Sequence, residues 1–131
     1  MSMRELSQAT APKLFKLPNQ KQVKMEELKT IKEVILEAAK KHGVEVEKII
    51  LFGSRARGDF KEDSDWDILI VTKEKLNESD FWRFYSQLNE KLVSVLREPV
   101  DVIVVDSKEF RERANYRGFL HYWAQREGVV V

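Results

Sequence analysis

The chain has 131 residues, a formal net charge of +1, 43% apolar and 34% charged residues, and no cysteine. That length suits one domain around one core, and that composition suits a folded protein with a densely charged surface. Disulfide scaffolds, thiolate metal sites and cysteine nucleophiles are excluded, and the near-neutral charge favours neither nucleic acid nor an anionic membrane as partner.

Residues 1–24 mix Pro12 and Pro18 with Lys13, Lys16, Lys21 and Lys24, without sustained periodicity. They read as an extended N-terminal arm of no specific function ahead of a domain spanning 25–131, with Leu14, Phe15 and Leu17 as its candidates for docking. From Met25, the positions Leu28, Ile31, Val34, Ile35, Ala38 and Ala39 recur at helical spacing, and Gly43 is placed to end that helix. The run 48–52 predicts a short buried strand, 53–64 a punctuated turn, and 65–72 a second strand. Phe81, Phe84, Tyr85, Leu88, Leu92, Val95 and Leu96 mark a second amphipathic helix that Pro99 prevents from continuing. A third strand follows at 100–105. Asp106, with Glu109 three residues on, forms a capping box for a last helix running to Gln125, and Gly128 breaks the chain beyond it. The order α-β-β-α-β-α predicts an α/β (α+β) domain with a small mixed sheet and helices mainly on one face. The longest apolar runs, 49–52 and 102–105, are too short to cross a bilayer, and the first residues lack the apolar stretch of a secretion signal. A cytoplasmic protein with no membrane partner is expected.

The chemistry concentrates in Leu51-Phe52-Gly53-Ser54-Arg55-Ala56-Arg57-Gly58 and in Asp65-Trp66-Asp67. Residues two apart on a strand share a face, so Asp65 and Asp67 present adjacent carboxylates while Trp66 points away. Two such charges repel and raise one another's pKa, and an all-oxygen donor pair selects a hard cation such as magnesium or manganese. Asp101, early on the third strand, can complete a three-carboxylate cluster of the kind that holds two ions for phosphoryl chemistry. A glycine at a strand end lets the backbone approach a phosphate closely, and the Ser54 hydroxyl adds a donor. Gly53-Ser54 followed after ten residues by Asp-x-Asp fixes four positions. The chance of such a match is on the order of one in fifty thousand per start position.

This pattern resembles the nucleotidyltransferase superfamily of DNA polymerase beta, and the string Gly-Ser-x-Ala-Arg-Gly at 53–58 looks like its minimal nucleotidyltransferase branch. The resemblance spans residues 25–131, with its motifs in 51–71 and 100–105. It implies that fold, with Gly53 and Ser54 holding a nucleotide's phosphates and Arg57 steadying the triphosphate. It further implies that Asp65 and Asp67 bind two magnesium ions, for which manganese can substitute. Asp101 would bind the ion at the attacking hydroxyl and help deprotonate it. The strand carrying Asp101 is recognised by its context, Glu98-Pro99-Val100-Asp101-Val102. Many minimal members look like antitoxin partners of HEPN ribonucleases that place AMP from ATP on a toxin tyrosine, and that acceptor is implied here by analogy. A non-catalytic antitoxin module and an antibiotic-type small-molecule nucleotidyltransferase are the alternatives, the latter needing a further domain or a homo-oligomer to form its acceptor pocket.

Other residues receive blander readings. Arg55 reads as a surface arginine with a weaker claim on phosphate than Arg57. Asp59, Glu62 and Asp63 read as a solvated loop. Trp66, Phe81, Trp82, Phe84 and Tyr85 read as packing residues, whereas Tyr116, Tyr122 and Trp123 are candidates for a partner surface. Neither His42 nor His121 has an arrangement suggesting a catalytic base.

Overall fold

A computed structural model of the chain describes residues 22–131. Most of the arm expected over 1–24, including Leu14, Phe15 and Leu17, therefore lies outside the described residues, while Val23 at its end packs against the core. The elements run α1 (Met25–Lys41), β1 (Val46–Phe52), α2 (Ser54–Arg57), β2 (Trp66–Thr72), α3 (Glu78–Leu96), β3 (Val100–Asp106), α4 (Ser107–Arg113), α5 (Leu120–Glu127) and β4 (Val129–Val130). The sheet has the order β3-β2-β1-β4, with β2 and β3 parallel and the other pairs antiparallel.

The starts of α1, α3 and α4 follow from side chains that satisfy free backbone N–H groups. The Lys24 backbone N–H donates to the Glu27 carboxylate at 3.2 Å, Asn77 Oδ1 accepts from Asp80 at 2.8 Å, and Asp106 Oδ1 accepts from Glu109 at 2.9 Å. α3 stops before Pro99 as expected, and Arg97 makes the turn in the left-handed region at φ 60°.

β2 carries Ile68, Leu69, Ile70 and Val71 consecutively, all at most 1% exposed. An unbroken apolar run of this kind needs cover on both faces of a sheet. Trp66, Ile68 and Ile70 pack with Ile49, Leu51 and Val102 against the long helices α1 and α3. Leu69 and Val71 pack with Ile50 and Val105 on the other face, against Phe110 and Ala114 at α4 and Ala124 of α5. The two long helices thus share one face, and the opposite face is closed by two short ones.

The single last helix expected over 106–125 is two helices, α4 and α5, separated by turns over 114–119. Asn115 and Gly118 are poor helix formers, and the break allows both Phe110 and Ala124 to reach the sheet. The apolar end of the chain also forms a strand, with Val129 opposite Leu51 and Val130 opposite Ile50.

This topology brings three strand ends to one edge. β1 finishes where β2 and β3 begin, because it runs antiparallel to β2 while β2 and β3 run parallel. The Trp66 backbone N–H donates to the Pro99 carbonyl at 3.0 Å and locks the two starts together.

Candidate active site

Gly53 leaves β1 with φ 76° and ψ −158°, a conformation that disfavours any residue with a Cβ, and α2 begins at Ser54. A Cβ on Gly53 would collide with the Asp67 carboxylate, whose Cγ would lie only 3.0 Å from it. The glycine is therefore required by backbone geometry and by the close approach of Asp67. Ser54 is half-buried beside it, and α2 ends in the left-handed Gly58.

Asp67 is the second residue of β2, flanked across the sheet by Phe52 of β1 and Asp101 of β3. Register partners on adjacent strands are only about 4.8 Å apart and point to the same face. Asp65, immediately before β2, is exposed, as is Asp101, whereas Asp67 is half-buried. Burial raises the pKa of Asp67 above its ordinary value, the negative charges of Asp101 and then Asp65 raise it further, and the Arg57 cation partly opposes them. The three carboxylates expected to cooperate are therefore electrostatically one cluster.

They stand side by side and are not converged: among the described residues no three potential ligands are disposed as a ready-made metal site. The donor chemistry nonetheless fits a hard divalent cation. The cluster offers only oxygen, and its central carboxylate is held above the usual range by burial and like charge, an excess that a cation relieves. Asp65, Asp67 and Asp101 are the residues that could hold it.

Arg57 lies on the rim. Its guanidinium faces Asp59 at 3.4 Å in an exposed pair, an interaction of little energetic weight that leaves the side chain able to turn toward another anion.

Arg55, in contrast, is buried at 5% exposure. It donates to the carbonyls of Ser64, at 2.9 and 3.1 Å, and of Glu62, at 3.0 Å, and it lies 3.4 Å from the Glu98 carboxylate. Its guanidinium carbon lies over the rings of Phe60, at 4.8 Å, and Trp66, at 4.2 Å. Glu98 also accepts from Trp66 Nε1 at 2.8 Å. The surface reading of Arg55 is thus corrected. Phe60 and Trp66, five and eleven residues downstream, were the available signal, since flat aromatic faces suit a guanidinium.

The family described as "Polymerase beta, Nucleotidyltransferase" matches residues 29–120, which include the strand ends and carboxylates just described. This chain belongs to the polymerase beta nucleotidyltransferase family. Two proteins of Methanocaldococcus jannaschii that carry the provisional name of protein adenylyltransferase are similar to this nucleotidyltransferase. One is 38% identical over 82% of this chain and 99% of its own length, and the other is 36% identical over 64% and 95%. A solved structure provisionally described as a minimal nucleotidyltransferase covers 82% of this chain and 95% of its own, with 26% identity and a TM-score of 0.53. The fold expected from the sequence is therefore the observed one, and the enzyme class is nucleotidyltransferase.

Proposed function

We propose that this nucleotidyltransferase transfers AMP from ATP to a hydroxyl of a partner protein, a tyrosine of a HEPN-like toxin, with magnesium held by Asp65, Asp67 and Asp101. The observation that carries the reading is the meeting of Gly53, Asp67 and Asp101 at one sheet edge. In this reading the turn at Gly53 accommodates phosphate directly beside carboxylates that hold the cation. The relatives' protein adenylyltransferase names support a protein acceptor. So does an exposed surface around α5, where Tyr116, Phe119, Leu120 and Trp123 are 41–63% exposed. Arg113 lies over Phe119 at 5.0 Å and Trp123 Nε1 donates to the Arg117 carbonyl at 3.0 Å, so the patch combines the aromatic and arginine side chains enriched at protein interfaces.

In this reading Gly53 and Ser54 seat the phosphates and Arg57 turns from Asp59 to the triphosphate. The acceptor oxygen attacks the α-phosphorus, forming a new O–P bond as the bond to the α,β-bridging oxygen breaks and pyrophosphate leaves. The hydroxyl proton passes to Asp101. Bound divalent cations supply neutralisation of the triphosphate and acidify a hydroxyl whose ordinary pKa is about 10. Positioning and charge account for most of the catalysis, as is usual in phosphoryl-group chemistry.

The experiment incubates the protein with the product of its neighbouring gene, ATP and magnesium, followed by intact-mass measurement. An AMP-sized addition to that neighbour, lost in Asp101→Ala while the fold is kept, is the expected result. A neighbour that stays unmodified yet is still inhibited by Asp65→Asn/Asp67→Asn protein would establish a non-catalytic antitoxin instead.

A further inference from the structure

One buried arginine, through its backbone and its guanidinium, joins the stretches of chain that lead into the proposed site residues. Arg55 follows Ser54 directly in the chain, so its backbone belongs to the phosphate-side turn. Its side chain donates to the carbonyls of Lys61, Glu62 and Ser64, in the segment leading into Asp65. The segment is already closed on itself, with the Ser64 hydroxyl accepting from the Lys61 N–H at 2.8 Å and the Ser64 N–H donating to the Lys61 carbonyl at 3.1 Å. One face of the guanidinium rests on Trp66, the residue between Asp65 and Asp67, and its edge pairs with Glu98, three residues before Asp101.

From this juxtaposition we infer that Arg55 is a positioning residue, which fixes the phosphate-side turn relative to the carboxylates so that metal and nucleotide bind as one site. The inference rests on the site proposed above. A planar fork suits the role, because it can bond several carbonyls while lying over aromatic rings, and a lysine ammonium can do only part of this. Burial gives the contact leverage, because a fixed set of short bonds inside the fold transmits position where exposed pairs do not.

The test measures ATP binding by calorimetry, with Mn2+ and with the metal chelated, in the native protein, Arg55→Lys and Glu98→Ala. In the native protein the metal tightens ATP binding, with site-to-site coupling usually worth roughly 5–150-fold. In Arg55→Lys we expect metal-free ATP affinity to stay within about twofold while the metal-induced gain falls to about twofold or less. Glu98→Ala, which keeps Arg55 but removes the carboxylate it shares with Trp66, should move the gain in the same direction. A loss of folded protein alone lowers the stoichiometry and leaves the affinities of the folded fraction unchanged, so that pattern overturns the inference. Full metal-induced gain in both variants also overturns it. If Arg55→Lys does not fold, Glu98→Ala decides by the same criteria. Absence of any metal-dependent ATP binding in the native protein would instead refute the site reading on which the inference stands.

Discussion

Gly53 and Asp67 constrain one another at the residue scale. Replacing Gly53 by alanine imposes a left-handed φ on a residue with a Cβ and drives that Cβ into the Asp67 carboxylate. We expect Gly53→Ala to cost about 1–3 kcal/mol, the usual strain of such a conformation, and to weaken ATP binding as Asp67 is displaced. Denaturant titration and calorimetry check the two effects. Asp67 behaves in the opposite sense. Its pKa is raised in the folded state, by burial first and then by Asp101 and Asp65, so the fold holds this proton more tightly than the unfolded chain does. The resulting stabilisation is complete below the ordinary carboxylate value of 3.8 and is lost as pH rises through the folded pKa. Without metal, Asp67→Asn should therefore be more stable than the native protein at neutral pH, by a margin that shrinks toward acid, while losing metal-dependent ATP binding. Equal stability at pH 7 would remove the electrostatic account of the cluster. His121 shows the converse linkage. It is buried with both ring nitrogens unpaired among the described residues, and its pKa is lowered by burial and then by Arg113. Its contribution is present above the ordinary histidine value of 6.5 and is lost as pH falls. Unfolding at pH 7.5 and 5.5 should show a smaller acid loss in His121→Leu than in the native protein.

At the scale of elements, the end of α3 carries backbone strain, because a non-glycine residue, Arg97, occupies the left-handed region. Relief of that conformation makes Arg97→Gly stabilising, by about 1 kcal/mol, and thermal unfolding should show it as a rise in Tm. A fall in Tm would show that the Arg97 side chain contributes more than its backbone costs. The elements also show where sequence was legible. The two long helices were readable from their apolar periodicity and the three main strands from short apolar runs bounded by turn residues, and Asp106 announced α4 through its cap. The division between α4 and α5 was missed because the helical spacing of Phe110, Ala114, His121 and Ala124 outweighed the weak breaking signals of Asn115 and Gly118. β4 was not readable because two residues carry no period, and only pairing with Ile50 and Leu51 defines them. In the site, Asp65 and Asp67 stood out by their spacing from Gly53-Ser54, and Asp101 by its strand context. Arg55 escaped because an arginine in a punctuated turn reads as surface: the nearby rings of Phe60 and Trp66 were a local hint, but its pairing with Glu98, forty-three residues away, has no local pattern.

For the molecule as a whole, function depends on how the sheet is strung. An antiparallel β1–β2 pair followed by a parallel β2–β3 pair puts one strand end and two strand starts at the same edge, so residues 53, 67 and 101 meet although they are far apart in the chain. Helices cover both faces of the sheet behind that edge, and in the proposed reading the exposed aromatic residues around α5 are where a protein acceptor docks. The central claim is that this edge transfers a nucleotide to a protein. Its most direct measurement is to incubate the native chain and Asp67→Asn separately with magnesium, the neighbouring gene product and ATP labelled either at the α- or at the γ-phosphate. Nucleotidyl transfer predicts protein-bound label from α-labelled ATP, release of the γ label as pyrophosphate, and neither event with Asp67→Asn. Protein labelled from γ-labelled ATP, or equal labelling by native and Asp67→Asn chains, would contradict the account.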